Sequence, residues 1–125
     1  MGLRTRIIKR KDYIYSVELT GSIDTGTYQK LEEELKEILE APTKAVIFDM
    51  KGVDYLSSIG VKVILETKKK AEVIDAAFSM VNLQPQIKKV FEIIKALPSQ
   101  GIFKNIQELD DYLDTMQQKA LQGED

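Results

Sequence analysis

Residues 44–64 read K-A-V-I-F-D-M-K-G-V-D-Y-L-S-S-I-G-V-K-V-I and change character twice. Lys44 to Met50 is a short, nearly continuous apolar run, the pattern of a strand covered on both faces. Lys51-Gly52 reads as a turn. Val53, Tyr55 and Leu56 then form a second short apolar piece leading into Ser57-Ser58-Ile59-Gly60. An amphipathic helix pattern follows over residues 60–73, with Lys68, Lys69 and Lys70 near its end, where cations complement the helix dipole. A buried strand feeding a helix is the building unit of an α/β fold.

The same alternation extends in both directions. Upstream, residues 3–10 and 13–20 read as two strands joined at Lys11-Asp12. Gly21-Ser22-Ile23-Asp24-Thr25-Gly26 is a turn signal with capping residues, and the first helix after it places Leu31, Leu35, Ile38 and Leu39 on one face until Pro42 stops it. Downstream, residues 77–83 read as a strand, and Pro85 suits the first turn of a helix with Ile87, Val90, Phe91, Ile94 and Leu97 on its stripe. Pro98 to Gly101 breaks that helix. Ile102-Phe103 reads as a short edge strand, and a last helix from about Asn105 carries Ile106, Leu109, Leu113 and Met116.

The order is β-β-α-β-α-β-α-β-α. It predicts a single α/β domain over residues 1–117, with a mainly parallel central sheet, an N-terminal antiparallel strand and about four helices; residues 118–125 form a polar, frayed tail. Right-handed crossovers make the strands at 13–20, 44–50 and 77–83 parallel. Their C-terminal ends then share the sheet edge where open α/β folds place ligands and partners, and it carries Asp24-Thr25, the segment after Asp49, and Asn82-Leu83-Gln84.

Composition narrows the chemistry. With no cysteine and no histidine among 125 residues, thiolate metal sites, disulfides, thiol nucleophiles, Ser-His-Asp triads and histidine acid–base catalysis are excluded. No convergent set of titratable groups marks a catalytic or metal centre, so no enzyme activity and no cofactor is expected. A net charge of −2 gives no general pull toward nucleic acid, and the basic start (Arg4, Arg6, Lys9, Arg10, Lys11) reads as a solvated strand that guards an edge. No run spans a bilayer and no signal peptide is present, so a cytoplasmic protein is expected.

Ser57 and Ser58 sit where a helix begins. A hydroxyl there accepts from the free N–H groups of the first turn, which is the plain structural reading. The same donors tolerate an anion, so a phosphoserine fits there too. Spacing favours capping and leaves both open. Asp24 and Thr25 likewise read as a cap that also borders the ligand edge. Asp49 and Asp54 do not make a receiver site, because Gly21-Ser22 stands where the acidic pair after an early strand is needed.

Three segments in this order, G-S-I-D-T-G-T (21–27), V-I-F-D-M-K-G-V-D-Y-L-S-S-I-G-V (46–61) and M-V-N-L-Q-P-Q-I-K-K-V-F-E-I-I (80–94), resemble the STAS domain of bacterial anti-sigma factor antagonists. The resemblance covers nearly the whole chain. It implies a partner switch: an unphosphorylated antagonist binds an anti-sigma factor that is also a serine kinase, phosphorylation at the start of the second helix abolishes binding, and a serine phosphatase resets it. On this sequence the resemblance makes Ser58 the phosphoacceptor, alternatively Ser57. The implied partner surface is Asp24, Thr25, Ser57, Ser58, Ile59, Gly60, Lys62 and Glu66, with no direct nucleic acid and no membrane insertion.

One departure matters. The family's usual pattern is Asp-Ser-Ser/Thr-Gly with the acceptor directly before glycine, and here Gly60 is preceded by Ile59, which takes no phosphate. A phosphorylation-independent STAS scaffold, or an accessory subunit of a larger signalling or transport complex, is therefore the alternative.

Overall fold

The computed structural model describes residues 2–96 and 103–123. Strands β1 (Leu3–Lys9), β2 (Ile14–Ile23), β3 (Ala45–Leu56) and β4 (Ala77–Val81) form one sheet in the order β1-β2-β3-β4. β1 and β2 are antiparallel, as a tight connection at Lys11–Tyr13 requires, while β2, β3 and β4 are parallel. Helices α1 (Tyr28–Leu35) and α2 (Ser58–Val73) make the crossovers, and α3 (Pro85–Ala96) and α4 (Ile106–Leu121) complete the domain. The expected α/β architecture stands.

The core lies on one face of the sheet. Ile7, Val17, Phe48 and Met80 pair across the four strands and belong to one apolar cluster with Leu31 and Leu35 of α1, Val61 and Ile64 of α2, Ile87 and Val90 of α3, and Leu113 of α4. Arg6, Glu18, Asp49 and Val81 pair in the next register and occupy the opposite face. In β3, Val46, Phe48 and Met50 are buried, while Ala45, Ile47 and Asp49 are only partly so. The expected cover on both faces is thus corrected: an apolar run here alternates, because polar strand neighbours leave its far side outside the core.

Other boundaries move for local reasons. β3 does not turn at Lys51-Gly52; it continues to Leu56, with the register against β2 slipping after Asp49 and again after Val53. Gly52 permits this, since a Cβ there would lie 2.8 Å from the Leu19 carbonyl oxygen and 2.7 Å from Thr20 Oγ1. α1 ends at Leu35, before Pro42, where the Lys36 and Ile38 N–H groups take three-residue bonds to Glu33 and Leu35 and tuck Ile38 into the core.

α4 runs to Leu121, so part of the tail expected to fray from residue 118 is helical, and Gln117 is buried and bonded inside the fold. Its packed side begins at Leu109; Ile106 is 66% exposed and stands off the expected stripe. Phe103 packs its ring on Tyr112 (centroids 5.5 Å) instead of extending the sheet, while Leu97, the Pro98–Gly101 break and Ile102 lie outside the described residues. Among the described residues no helix is long and apolar enough to cross a membrane.

Candidate functional site

β3 overshoots β4. The last β3–β4 pair is Asp49 with Val81, so among the described residues Met50–Leu56 have no strand on that side, and their backbone groups need other partners. Glutamine side chains supply them. Gln84 Nε2 donates to the Lys51 carbonyl (2.7 Å), Gln86 Nε2 to the Asp54 carbonyl (3.1 Å), and Gln117 Nε2 to the Leu56 carbonyl (2.7 Å) while its Oε1 accepts the Leu56 N–H (3.0 Å). Asp49 Oδ1 accepts the Lys51 N–H and also Asn82 Nδ2, and these contacts, the Lys51 bond first, hold the Asp49 carboxyl below its ordinary range against the opposing effect of burial. Asn82–Gln84 therefore stand level with Asp49–Lys51, and the three strand ends do not share one edge as expected.

Two of them do. Ile23 pairs with Leu56, and the Ser57 N–H donates to the Ile23 carbonyl at 3.1 Å, which sets the Asp24 turn beside the Ser57–Gly60 turn. Asp24 Oδ1 accepts from Gly26 N–H and the Thr27 hydroxyl, and Thr27, not Asp24 or Thr25, is the N-cap residue of α1. Thr25 is exposed at the tip.

The two serines have different surroundings. Ser57 is the N-cap of α2 and is 7% exposed; its hydroxyl oxygen accepts the Gly60 N–H (3.3 Å) and donates toward the Ile23 carbonyl (3.4 Å). Ser58 opens the helix half-buried. Its backbone N–H donates to Asp110 Oδ1 of α4 at 2.7 Å, and its hydroxyl has no hydrogen bond among the described residues. Ile59 is half-buried. Gly60 is buried, and a Cβ there would collide with the Ile23 carbonyl oxygen, so the glycine lets α2 start hard against the end of β2.

Along the exposed side of α2 runs a groove of about 520 Å³. Ser58, Lys62 and Glu66 line it together with Val61, Leu65 and Ile94. Leu65 is 45% exposed, an apolar side chain among charged neighbours. Ser58 thus joins the groove on one side and the acidic end of α4 on the other. Asp24 and Thr25 lie across the Ser57 turn and are not part of the groove lining.

The residues that sequence reasoning missed come from β3 and α4. Tyr55 has its hydroxyl pushed above the ordinary 10.0, first by burial and then by the charges of Asp114, Asp110, Asp24 and Asp111. Four aspartates thus act on Tyr55, two residues before Ser57. For Gln117 the sequence carried one faint signal, a glutamine four residues after Leu113 on the packed side of an amphipathic helix. Among the described residues no group of carboxylates is arranged to hold a metal ion.

The STAS domain family model matches residues 5–109. BtrV of Bordetella bronchiseptica, provisionally named an anti-sigma factor antagonist, is 29% identical over 75 residues, which are 60% of this chain and 65% of BtrV. The chain therefore spans just under two thirds of that relative. The anti-sigma-B factor antagonist of Staphylococcus aureus is 26% identical over 83 residues, 66% of this chain and 77% of the relative. The fold is similar to the anti-sigma factor antagonist SpoIIAA in its unphosphorylated form (TM-score 0.66, 15% identity, 74% of this chain and 81% of SpoIIAA) and in its phosphorylated form (TM-score 0.62, 15% identity, 73% and 83%).

Proposed function

The chain belongs to the STAS domain family, and from that premise we propose that it is an anti-sigma factor antagonist switched by phosphorylation of Ser58. In this reading the unphosphorylated protein binds an anti-sigma factor that is also a serine kinase and so releases the sigma factor. The kinase modifies Ser58, and a serine phosphatase removes the phosphate. Asp24, Thr25, Ser57, Ser58, Ile59, Gly60, Lys62 and Glu66 form the partner surface.

The observation that carries the reading is the asymmetry of the serines. Ser57 spends its hydroxyl on the cap, whereas Ser58 keeps its hydroxyl unengaged on the rim of the α2 groove. A phosphate at Ser58 would place about two negative charges inside a protein–protein contact, where an unpaired charge costs several kcal/mol of desolvation. Names of the relatives add support, since BtrV and the S. aureus protein are both named as antagonists.

Phosphopeptide mapping on the protein from its own cells, grown and stressed, tests the acceptor. Titration of the cognate anti-sigma factor with Ser58→Asp and Ser58→Ala tests the switch: the aspartate variant is expected to bind more than about tenfold more weakly, and the alanine variant close to wild type. Equal affinities reject the switch.

Ile59 favours a second reading. It occupies the family's usual acceptor position with a side chain that takes no phosphate, as in a STAS scaffold or accessory subunit that holds its partner without a switch. Full coverage of residues 57–60 with no phosphate under any condition selects this second reading.

A further inference from the structure

Two side chains of α4 hold the backbone on either side of Ser57. Gln117 takes both polar groups of Leu56, and Asp110 Oδ1 accepts the Ser58 N–H at 2.7 Å. That N–H is one of the free donors of the first turn of α2, so a carboxylate from another helix fills the position where an anion on Ser58 would bond. Asp24, Asp111 and Asp114 act with Asp110 on neighbouring Tyr55, so negative charge already crowds this end of the helix.

We propose that α4 reads out the state of Ser58: a phosphate on Ser58 displaces the Asp110 carboxylate from the Ser58 N–H and unpins the N-terminal half of α4 from the start of α2, while Gln117 keeps its hold on Leu56. The inference rests on Ser58 being the phosphoacceptor. Transfer of the γ-phosphoryl group of a nucleoside triphosphate forms the Oγ–P bond, breaks the bond to the leaving nucleoside diphosphate and releases the hydroxyl proton. The dianion then competes for the Ser58 N–H and repels Asp110, Asp111 and Asp114. Without the Asp110 bond, α4 keeps the Gln117 contacts and its apolar packing through Leu113, so it opens locally while the sheet stays closed. The start of α2, in the partner-binding turn, thereby loses its brace.

The test compares residues 1–125 with serine, alanine or genetically encoded phosphoserine at 58 by hydrogen-exchange mass spectrometry, with the anti-sigma factor titrated in parallel. Phosphoserine is expected to speed exchange over the N-terminal half of α4 and at Ser58 roughly tenfold, the change that follows from losing one charge-assisted hydrogen bond, and to leave Leu56 and β2 unchanged. Asp110→Asn should shrink that acceleration, because the amide keeps an acceptor oxygen, drops the repelling charge and offers the phosphate a donor. Unchanged α4 exchange overturns the proposal, even where partner affinity falls and the switch reading survives. Acceleration spread evenly over β2 and α1 also overturns it. A loosened α4 with unaltered partner affinity supports the α4 response and rejects the antagonist switch instead.

Discussion

Gln117 spans Leu56 with one side-chain amide, donating to its carbonyl at 2.7 Å and accepting its N–H at 3.0 Å, across 61 residues of sequence. It pairs as a neighbouring strand would, at the point where β3 has outrun β4. Both residues are buried, Gln117 to 1% exposure, so the pair is also shielded from competing water.

Gln117→Leu keeps the volume and removes both bonds, leaving two buried backbone groups unpaired. The expected loss of stability is about 2–4 kcal/mol, read as a lower urea midpoint at unchanged slope. Gln118→Leu, one residue on and exposed, is expected to change stability by under about 0.5 kcal/mol. Equal effects from the two variants would show that the Leu56 pairing contributes little.

Gly60→Ala asks whether α2 needs its close approach to β2. An added methyl group meets the Ile23 carbonyl oxygen and the Ile23 side chain, and that oxygen belongs to backbone that cannot swing away. The expected cost is about 1–3 kcal/mol, in contrast to the modest gain alanine normally gives inside a helix. A thermal melt of the variant decides the sign.

Ser57→Ala removes the bond to the Gly60 N–H and should cost about 1 kcal/mol, while Ser57→Gly costs only part of that. Because the hydroxyl of Ser58 is separate from this cap, phosphate incorporation by the cognate kinase should survive in Ser57→Ala and vanish in Ser58→Ala. The reverse pattern would move the acceptor to Ser57.

Much of the fold was legible because periodicity reports burial directly. The alternation of strands and helices, the parallel β2-β3-β4 order and the helix starting at Ser57-Ser58 follow from patterns within a dozen residues of one another. The errors share a cause. Lys51-Gly52 looks like a turn locally, yet β3 runs through it because Thr20 and Leu19 on β2 receive a glycine there without a clash. The Ser57 cap was readable from its place before the helix. Gln117 left only the trace of a polar residue on a packed helix face, and Asp110 left none, since nothing within 50 residues of Ser58 announces a carboxylate that crosses from α4.

Alkaline and acid pH should weaken the protein through different residues. The Tyr55 hydroxyl is raised above 10.0 by burial and by four aspartates, so the folded state holds that proton more tightly than the unfolded chain. Its contribution is complete below pH 10 and is lost as pH climbs through the folded value; Tyr55→Phe should flatten the fall in stability above about pH 10. Asp49 has the opposite sign. Its carboxyl is lowered from 3.8, chiefly by the Lys51 N–H, so its contribution is present above 3.8 and is lost as pH drops through the folded value. Urea midpoints for wild type, Tyr55→Phe and Asp49→Asn across both ranges check the two signs.

Ile59→Ser restores a hydroxyl directly before Gly60, where the family usually carries its acceptor. Residue 59 follows Ser58 in the first turn of α2, so the new oxygen sits among the same free N–H donors. Replacing a half-buried isoleucine should cost about 1 kcal/mol of stability, small enough to leave the domain folded. Under one kinase, Ile59→Ser should take up phosphate faster than wild type, and the double variant Ser58→Ala with Ile59→Ser should retain that rate. Rates would be read from phosphopeptides over time. A double variant that takes no phosphate would mean that the residue before Gly60 is out of reach of the kinase in this chain, so that Ser58 owes its role to its open place on the groove and not to its distance from the glycine.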